Sequence, residues 1–265
     1  PNHLAGNYTS NVGRSIDSWS DYQPMGICAG ITPFNFPVMV PMWMFPVAIA
    51  CGNCFILKPS ERDPSSTRLL SEIVFEAGIP PGVLNLVNGG KETVDAILQH
   101  KDISAVSFVG STPIAEYVYS EAAKYGKKVQ AMGGAKNHMV VMPDADMEMV
   151  GDAIMGSVFG SAGERCMAIS VVVPVGEGTG DKIKEIVKPK IENLKIGPGL
   201  DPDSDMGPLV TSDHLQKVQN YIDKGVEEGA KLVVDGRNLK LQGYENGFFI
   251  GGSFFDNVTT DMSIY

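Results

Sequence analysis

The sequence predicts an α/β protein with a doubly wound parallel sheet, followed by part of a second α/β domain. Three observations carry this reading. From Pro24 onward, short apolar runs alternate with patterns that put apolar residues on one helical face. The run 103–109 is apolar on both faces, as an interior parallel strand must be. After Pro143-Asp144-Ala145-Asp146 the pattern changes, and the domain boundary is expected near residue 145.

Residues 1–23 are polar and read as an arm or edge hairpin. The run 27–31 is the first sheet strand, and 38–50, apolar almost all round, reads as a buried helix. A strand over 54–57 leads to a helix capped by Asp63, opened by Pro64 and stopped at Gly78. Leu69, Leu70, Ile73, Val74 and Ala77 would share its inner face. Strand 83–87, helix 91–99, strand 103–109 and a helix from Thr112 to Tyr125 follow, then short strands at 129–132 and 139–142. In the second part, a helix carrying Val150, Ile154, Met155, Val158 and Phe159 leads to a turn at Gly163-Glu164-Arg165-Cys166-Met167. Beyond it come strand 171–175, a helix broken near Pro189, a loop over 197–208, a helix from Ser212 to Glu228 and a strand at 231–234.

Composition narrows the function. The formal charge of −10 and the lack of any basic run argue against nucleic acid as a partner. No apolar stretch approaches the roughly 18–20 residues that span a bilayer. Residues 1–20 do not resemble a secretion signal, and Cys28, Cys51, Cys54 and Cys166 are too few for a disulfide framework, so a reducing cytoplasm is expected. The chain starts without methionine and stops in mid-pattern at Tyr265, as a piece of a longer protein would.

Several residues could carry chemistry. Cys166, with Arg165 beside it, reads either as a nucleophile or as a buried structural thiol. Asn35 is held between Phe34 and Phe36 at a strand end, where its amide can donate to an oxyanion or to its own turn. Lys58 and Glu61, just past another strand, are a ribose clamp or a solvated pair. Gly110-Ser111-Thr112 opens a helix, a place that favours a phosphate; the alternative is a plain cap at Thr112. Gly133 and Gly134 mark a close backbone approach. The G-x-G-x-x-G fingerprint is absent. Cys51-Gly52-Asn53-Cys54 has metal or redox spacing, but without a second pair or a nearby histidine it reads as structural and buried, and no metal is expected. A Cys-His hydrolase would need His3, His100, His138 or His214 as base, and none sits in a motif for that role.

Taken together, 31–37 (I-T-P-F-N-F-P), 57–61 (L-K-P-S-E), 108–112 (F-V-G-S-T) and 163–166 (G-E-R-C) resemble the aldehyde dehydrogenase superfamily in order and spacing, over about residue 24 to the end. The resemblance implies a variant Rossmann domain over 1–145 that binds NAD without the glycine fingerprint, then the first part of a catalytic domain over 146–265. It implies that Lys58 and Glu61 hold the adenosine ribose, that Ser111 with Gly110 holds the pyrophosphate, and that Thr32, Phe34 and Arg62 line the same site. Asn35 and the backbone N–H of Cys166 would form the oxyanion hole, with Cys166 as nucleophile. Glu61 favours NAD over NADP, against which Arg62 works.

One departure is informative. Water-using members carry a glutamate four residues before the lysine matching Lys136, and Met132 stands there. Methionine cannot take a proton from water. A thiol needs no strong base, so coenzyme A fits as the second nucleophile. The segments 134–138 (G-A-K-N-H) and 163–168 (G-E-R-C-M-A) resemble the CoA-acylating branch, which acts on malonate or methylmalonate semialdehyde. That branch implies oxidation to acetyl-CoA or propionyl-CoA with loss of CO2. Arg165 would hold the substrate carboxylate, or else would lower the thiol pKa or pack at a domain interface. The resemblance also implies a homo-oligomer. Two alternatives stay open: an NAD-dependent enzyme releasing a free acid, and a catalytically silent nucleotide-binding fragment.

Overall fold

The computed structural model describes residues 2–265, which divide into two compact units, one up to Gly134 and one spanning Ala135–Tyr265.

In the first unit, strands β1 (Tyr8–Gly13) and β2 (Ile16–Trp19) form an antiparallel hairpin, as the polar N-terminal stretch predicts. A five-stranded parallel sheet follows, built from β3 (Ile27–Ile31), β4 (Cys54–Lys58), β5 (Leu84–Leu86), β6 (Ile103–Val109) and β7 (Lys128–Met132). Helices α1 (Met39–Ala50), α2 (Pro64–Glu76), α3 (Lys91–Gln99) and α4 (Thr112–Lys124) alternate with the strands. The strand order β5-β4-β3-β6-β7 means that the chain moves outward from β3 to β5, then crosses back to add β6 on the other side of β3. Such a reversal opens a crevice at the carboxyl ends of the two strands concerned. Helices α1 and α2 cover one sheet face through Val40, Met44, Phe45, Leu70 and Val74 against Phe55 and Leu57. Helices α3 and α4 cover the other, with Leu98 and Val118 fully buried against Ala29, Val106 and Phe108. Burying a side chain of this size is worth about 1.5–3 kcal/mol.

The second unit pairs β8 (Asn137–Val141) with β9 (Ile169–Pro174) in parallel, and β10 (Lys231–Val234) with β11 (Phe254–Asp256) antiparallel. Helices α5 (Met147–Val158) and α6 (Thr179–Glu192) enclose an apolar core of Val141, Ile154, Ile183, Val187 and Ile191. Helix α7 (Ser212–Glu227) packs Ile222 with Leu209 and Ile250.

Several expectations need correction. The strand near 139–142 does not extend the large sheet; it pairs with β9, so the units part at 134/135 rather than near 145. Asp63 stands at the N-cap of α2 (φ −148°, ψ 61°), but its side chain makes no capping bond. There Oδ1 is buried with no hydrogen-bond partner among the described residues, and burial pushes the carboxyl pKa up to about 6. On α2, Leu69 and Ile73 are exposed, so the inner face is narrower than the apolar pattern indicates. On α1, Met42, Trp43 and Val47 are also exposed: only one side of this all-apolar helix meets the sheet. Helix α6 continues through Pro189, whose carbonyl accepts from the backbone N–H and side-chain amide of Asn193. Cys54 is exposed rather than buried, since β4 enters the core only at Phe55, and Cys51 is half-buried.

Candidate active site

The residues expected to hold a dinucleotide lie at the carboxyl ends of β3, β4 and β6 in the first unit. Thr32 follows β3, its N–H donating 3.0 Å to the Lys58 carbonyl, which ties the ends of β3 and β4 together. Its side chain is only 4% exposed, and its hydroxyl has no hydrogen-bond partner among the described residues. A buried hydroxyl left this way costs free energy unless a ligand satisfies it. Phe34 and Asn35 are half-buried on the turn that leads to α1.

Lys58 ends β4 and is also 4% exposed, so the solvated-pair reading fails for it. Its ammonium donates 2.9 Å to Glu61, whose side chain is 51% exposed. A buried lysine thus holds a carboxylate that reaches solvent. Burial works against the Glu61 charge, but the Lys58 hydrogen bond, a backbone hydrogen bond and the Lys58 and Arg62 charges outweigh it. The Glu61 pKa therefore lies below the usual carboxylate value. The pair presents an ionised acceptor suited to ribose hydroxyls. Arg62 is exposed, and its backbone N–H donates to the Ser60 hydroxyl.

At the end of β6, Gly110 contributes through its missing side chain: an added Cβ would lie 2.4 Å from the Phe108 ring. Its N–H is engaged by the Met132 carbonyl. Ser111 is the N-cap residue of α4 in extended geometry, and its own hydroxyl makes no capping bond. The Thr112 hydroxyl is no cap either; it accepts from Gly134 N–H at 2.9 Å. A Cβ on Gly133 would sit 3.1 Å from Thr112 Cα, so the expected close approach is real. Met132 ends β7 and is exposed, presenting a thioether that cannot take a proton from water.

In the second unit, the turn bearing Cys166 follows α5. Ser161, Ala162 and Gly163 all have left-handed φ values of 52°, 52° and 76°. Such geometry costs about 1–3 kcal/mol for each non-glycine residue and persists only where surrounding contacts hold it. Two contacts do so. The Glu164 carboxylate, 12% exposed, accepts from Val210 N–H at 3.3 Å and lies 3.3 Å from His214 Nε2. Asn137 Nδ2 donates to the carbonyls of both Cys166 and Ala168, each at 3.0 Å. Burial raises the Glu164 pKa, only partly offset by the Val210 bond, and burial lowers that of His214. His138 bonds the Lys136 carbonyl and the Tyr265 hydroxyl, so both histidines of this unit are engaged by other groups.

Cys166 itself is half-buried, Arg165 is exposed and Met167 is 78% exposed. The Arg165 guanidinium folds over Gly160, where an added Cβ would come within 2.6 Å of Cζ, and Nη1 approaches the Gly156 carbonyl at 3.5 Å. A cleft of about 620 Å³ also lies in this unit, lined by Phe159, Ala162, Ile169, Ile222, Phe254 and Tyr265, but Cys166 does not line it. Sequence reasoning missed the roles of Asn137, Glu164 and His214. An asparagine opening a strand that turns apolar at Met139 was the available signal for Asn137.

A thiol on a braced turn, and a buried lysine and threonine at the carboxyl ends of a reversed parallel sheet, fit the family that the motifs indicate. Residues 1–265 match the aldehyde dehydrogenase family, and the chain belongs to it. It is 61% identical over its whole length to malonate-semialdehyde dehydrogenase of Pseudomonas aeruginosa, covering 53% of that protein. It is 49% identical to the protein of the same name in Halalkalibacterium halodurans, covering 54% of it. Among solved structures it matches one described as a methylmalonate-semialdehyde dehydrogenase of Sinorhizobium meliloti, complexed with NAD. The TM-score is 0.97 and the identity 61%, over all of this chain and 54% of that one. The methylmalonate-semialdehyde dehydrogenase of Oceanimonas doudoroffii gives the same TM-score at 56% identity. The chain therefore spans about half the length of the relatives it matches.

Proposed function

We propose that this chain carries the NAD-binding and nucleophile-bearing parts of a CoA-acylating dehydrogenase for malonate or methylmalonate semialdehyde. The observation that carries the reading is the 61% identity, along the whole chain, to a malonate-semialdehyde dehydrogenase. The buried Lys58 holding the solvent-reaching Glu61, and the unsatisfied Thr32 hydroxyl, support NAD as the cofactor, with Phe34, Arg62, Gly110 and Ser111 around it.

In this mechanism the Cys166 thiolate attacks the aldehyde carbon. The Asn35 amide donates to the oxyanion that forms, an effect worth about 3–4 kcal/mol. Bound NAD supplies the hydride acceptor. A thioacyl group is left on Cys166, and Arg165 holds the substrate carboxylate by a paired contact until it departs as CO2, leaving its electron pair as a thioester enolate whose α-carbon takes a proton from solvent. Met132 offers no base for water, so the thiolate of coenzyme A takes the acyl group and frees Cys166. A homo-oligomer and a cytoplasmic setting belong to the same reading.

The test is a product assay with the full-length enzyme, NAD and malonate semialdehyde, with and without coenzyme A. Acetyl-CoA formation and a single turnover of NADH without coenzyme A are expected. Sustained NADH formation without coenzyme A would mean free-acid release and sink the acylating step.

A further inference from the structure

We propose that Asn137 is a positioning residue of the reaction, fixing the peptide that carries the nucleophile. The proposal rests on the reading of Cys166 as nucleophile.

Asn137 is the first residue of β8, opposite Ile169 at the start of β9, and the register slips between Asn137 and His138. At this irregular end of the ladder the side chain takes over from the backbone. Its single Nδ2 has two protons, and both are used: one on the Cys166 carbonyl, one on the Ala168 carbonyl, each at 3.0 Å. Ala168 is buried and its N–H donates to the Arg165 carbonyl at 3.1 Å, so the amide closes a short loop around exposed Met167. Holding the Cys166 carbonyl sets the ψ angle of Cys166, and with it the directions of its Cα–Cβ bond and of the next N–H.

The turn cannot do this unaided. Its left-handed residues Ser161 and Ala162 would relax if the contacts holding the segment were lost. Glu164 anchors it through Val210 and His214, but on the side before the cysteine. On the cysteine itself, it is the Asn137 side chain that donates to the peptide carbonyl.

The chemistry makes a sharp test. An aspartate at this position has the same shape, but when ionised it points acceptors at two carbonyl oxygens; when protonated it regains one donor. The full-length enzyme would be compared with Asn137→Ala and Asn137→Asp in stopped-flow NADH bursts with saturating semialdehyde, from pH 5 to 9, so that the range approaches the ordinary aspartate pKa of about 4, which two facing carbonyl oxygens would raise. NAD affinity and thermal midpoint would be measured alongside. Both variants should lose roughly tenfold or more in the burst rate constant at pH 8, with NAD affinity kept within about twofold. The ratio of Asn137→Asp to parent should rise as the pH falls. Lys136 and His138 flank the position, and Glu164 and Arg165 lie on the turn; all are shared by parent and variant, so the ratio isolates residue 137.

Burst rates within twofold of the parent in both variants would overturn the proposal. So would a loss matched by equal losses of NAD affinity and thermal midpoint, or an Asn137→Asp ratio flat with pH. A Cys166→Ala control separates the two ideas: a burst that survives it refutes the nucleophile assignment, whatever the Asn137 variants do.

Discussion

The two ends of the candidate machinery are built on opposite principles. At the cofactor end, Thr32 and Lys58 are almost fully buried and grow directly out of a parallel sheet whose strands hold one another in register. At the nucleophile end, Cys166 is half-buried on a turn with left-handed residues, held by side chains from elsewhere in its unit. Sheet geometry supplies the first site at little extra cost. The second is a strained local arrangement kept in place by Asn137 and Glu164. Preorganisation at the cofactor end is therefore expected to survive most surface changes, whereas the nucleophile end should respond to single hydrogen bonds.

Substitutions can break this contrast. The largest effect is expected from Cys166→Ser, which should remove at least ~10³-fold of NADH formation while leaving NAD binding intact. Stopped-flow absorbance and NAD titration measure the two quantities, and residual turnover near the parent rate would assign the nucleophile elsewhere. Next, Asn35→Ala should cost about 10²–10³ in kcat, read from steady-state rates at saturating semialdehyde. A change confined to KM would return Asn35 to the role of a turn residue. Lys58→Ala should weaken NAD about 10- to 100-fold by removing a buried charged donor, seen as a higher Kd with little change in the burst at saturating NAD. Arg165→Ala should raise KM for malonate semialdehyde roughly tenfold and leave propionaldehyde, which has no carboxylate, near its parent value. An equal rise for both substrates would point to a packing role over Gly160.

The smallest effect concerns Asp63. Its folded pKa of about 6 lies above the ordinary aspartate value of 3.8, so the folded state holds the proton more tightly. Stability from this group is then lost as the pH rises from about 4 to about 6, and the penalty is full above that window. Asp63→Asn should raise the stability near pH 7 by ~1 kcal/mol, less than the full shift because the carboxyl is partly solvated, and the gain should vanish near pH 4. Thermal melts of both proteins across that range would show it; a pH-independent difference would discount the buried carboxyl.

Much of the first unit was legible because its signals are periodic. Strand 103–109, apolar on both faces, emerged as β6, an interior strand flanked by β3 and β7, and Val94, Ile97 and Leu98 pointed inward on α3 as their spacing requires. The failures lie where periodicity carries no information about partners. The strand at 139–142 looks like any other short apolar strand, and only tertiary pairing with β9 removes it from the large sheet. An all-apolar α1 cannot declare which side is covered. At the candidate site, Lys58 and Glu61 were legible as a pair, but the burial that separates a clamp from a surface contact was not. The Asn137 clamp spans residues 137 to 168, a long-range contact that no local pattern encodes.

The strand order has a consequence for how the molecule comes into being. Strand β3 can pair with β4, and β4 with β5, as soon as residues up to Leu86 are available. The other neighbour of β3 is β6, which ends at Val109. The crevice between these two strands is therefore assembled late, after the longest loop closure in the sheet, and such non-local pairings are the slow ones. Under the proposed function, a dinucleotide bound at that crevice would act as a reporter of completed assembly. It should protect β6 amides from hydrogen exchange more than those of β5, holding shut the seam that forms last.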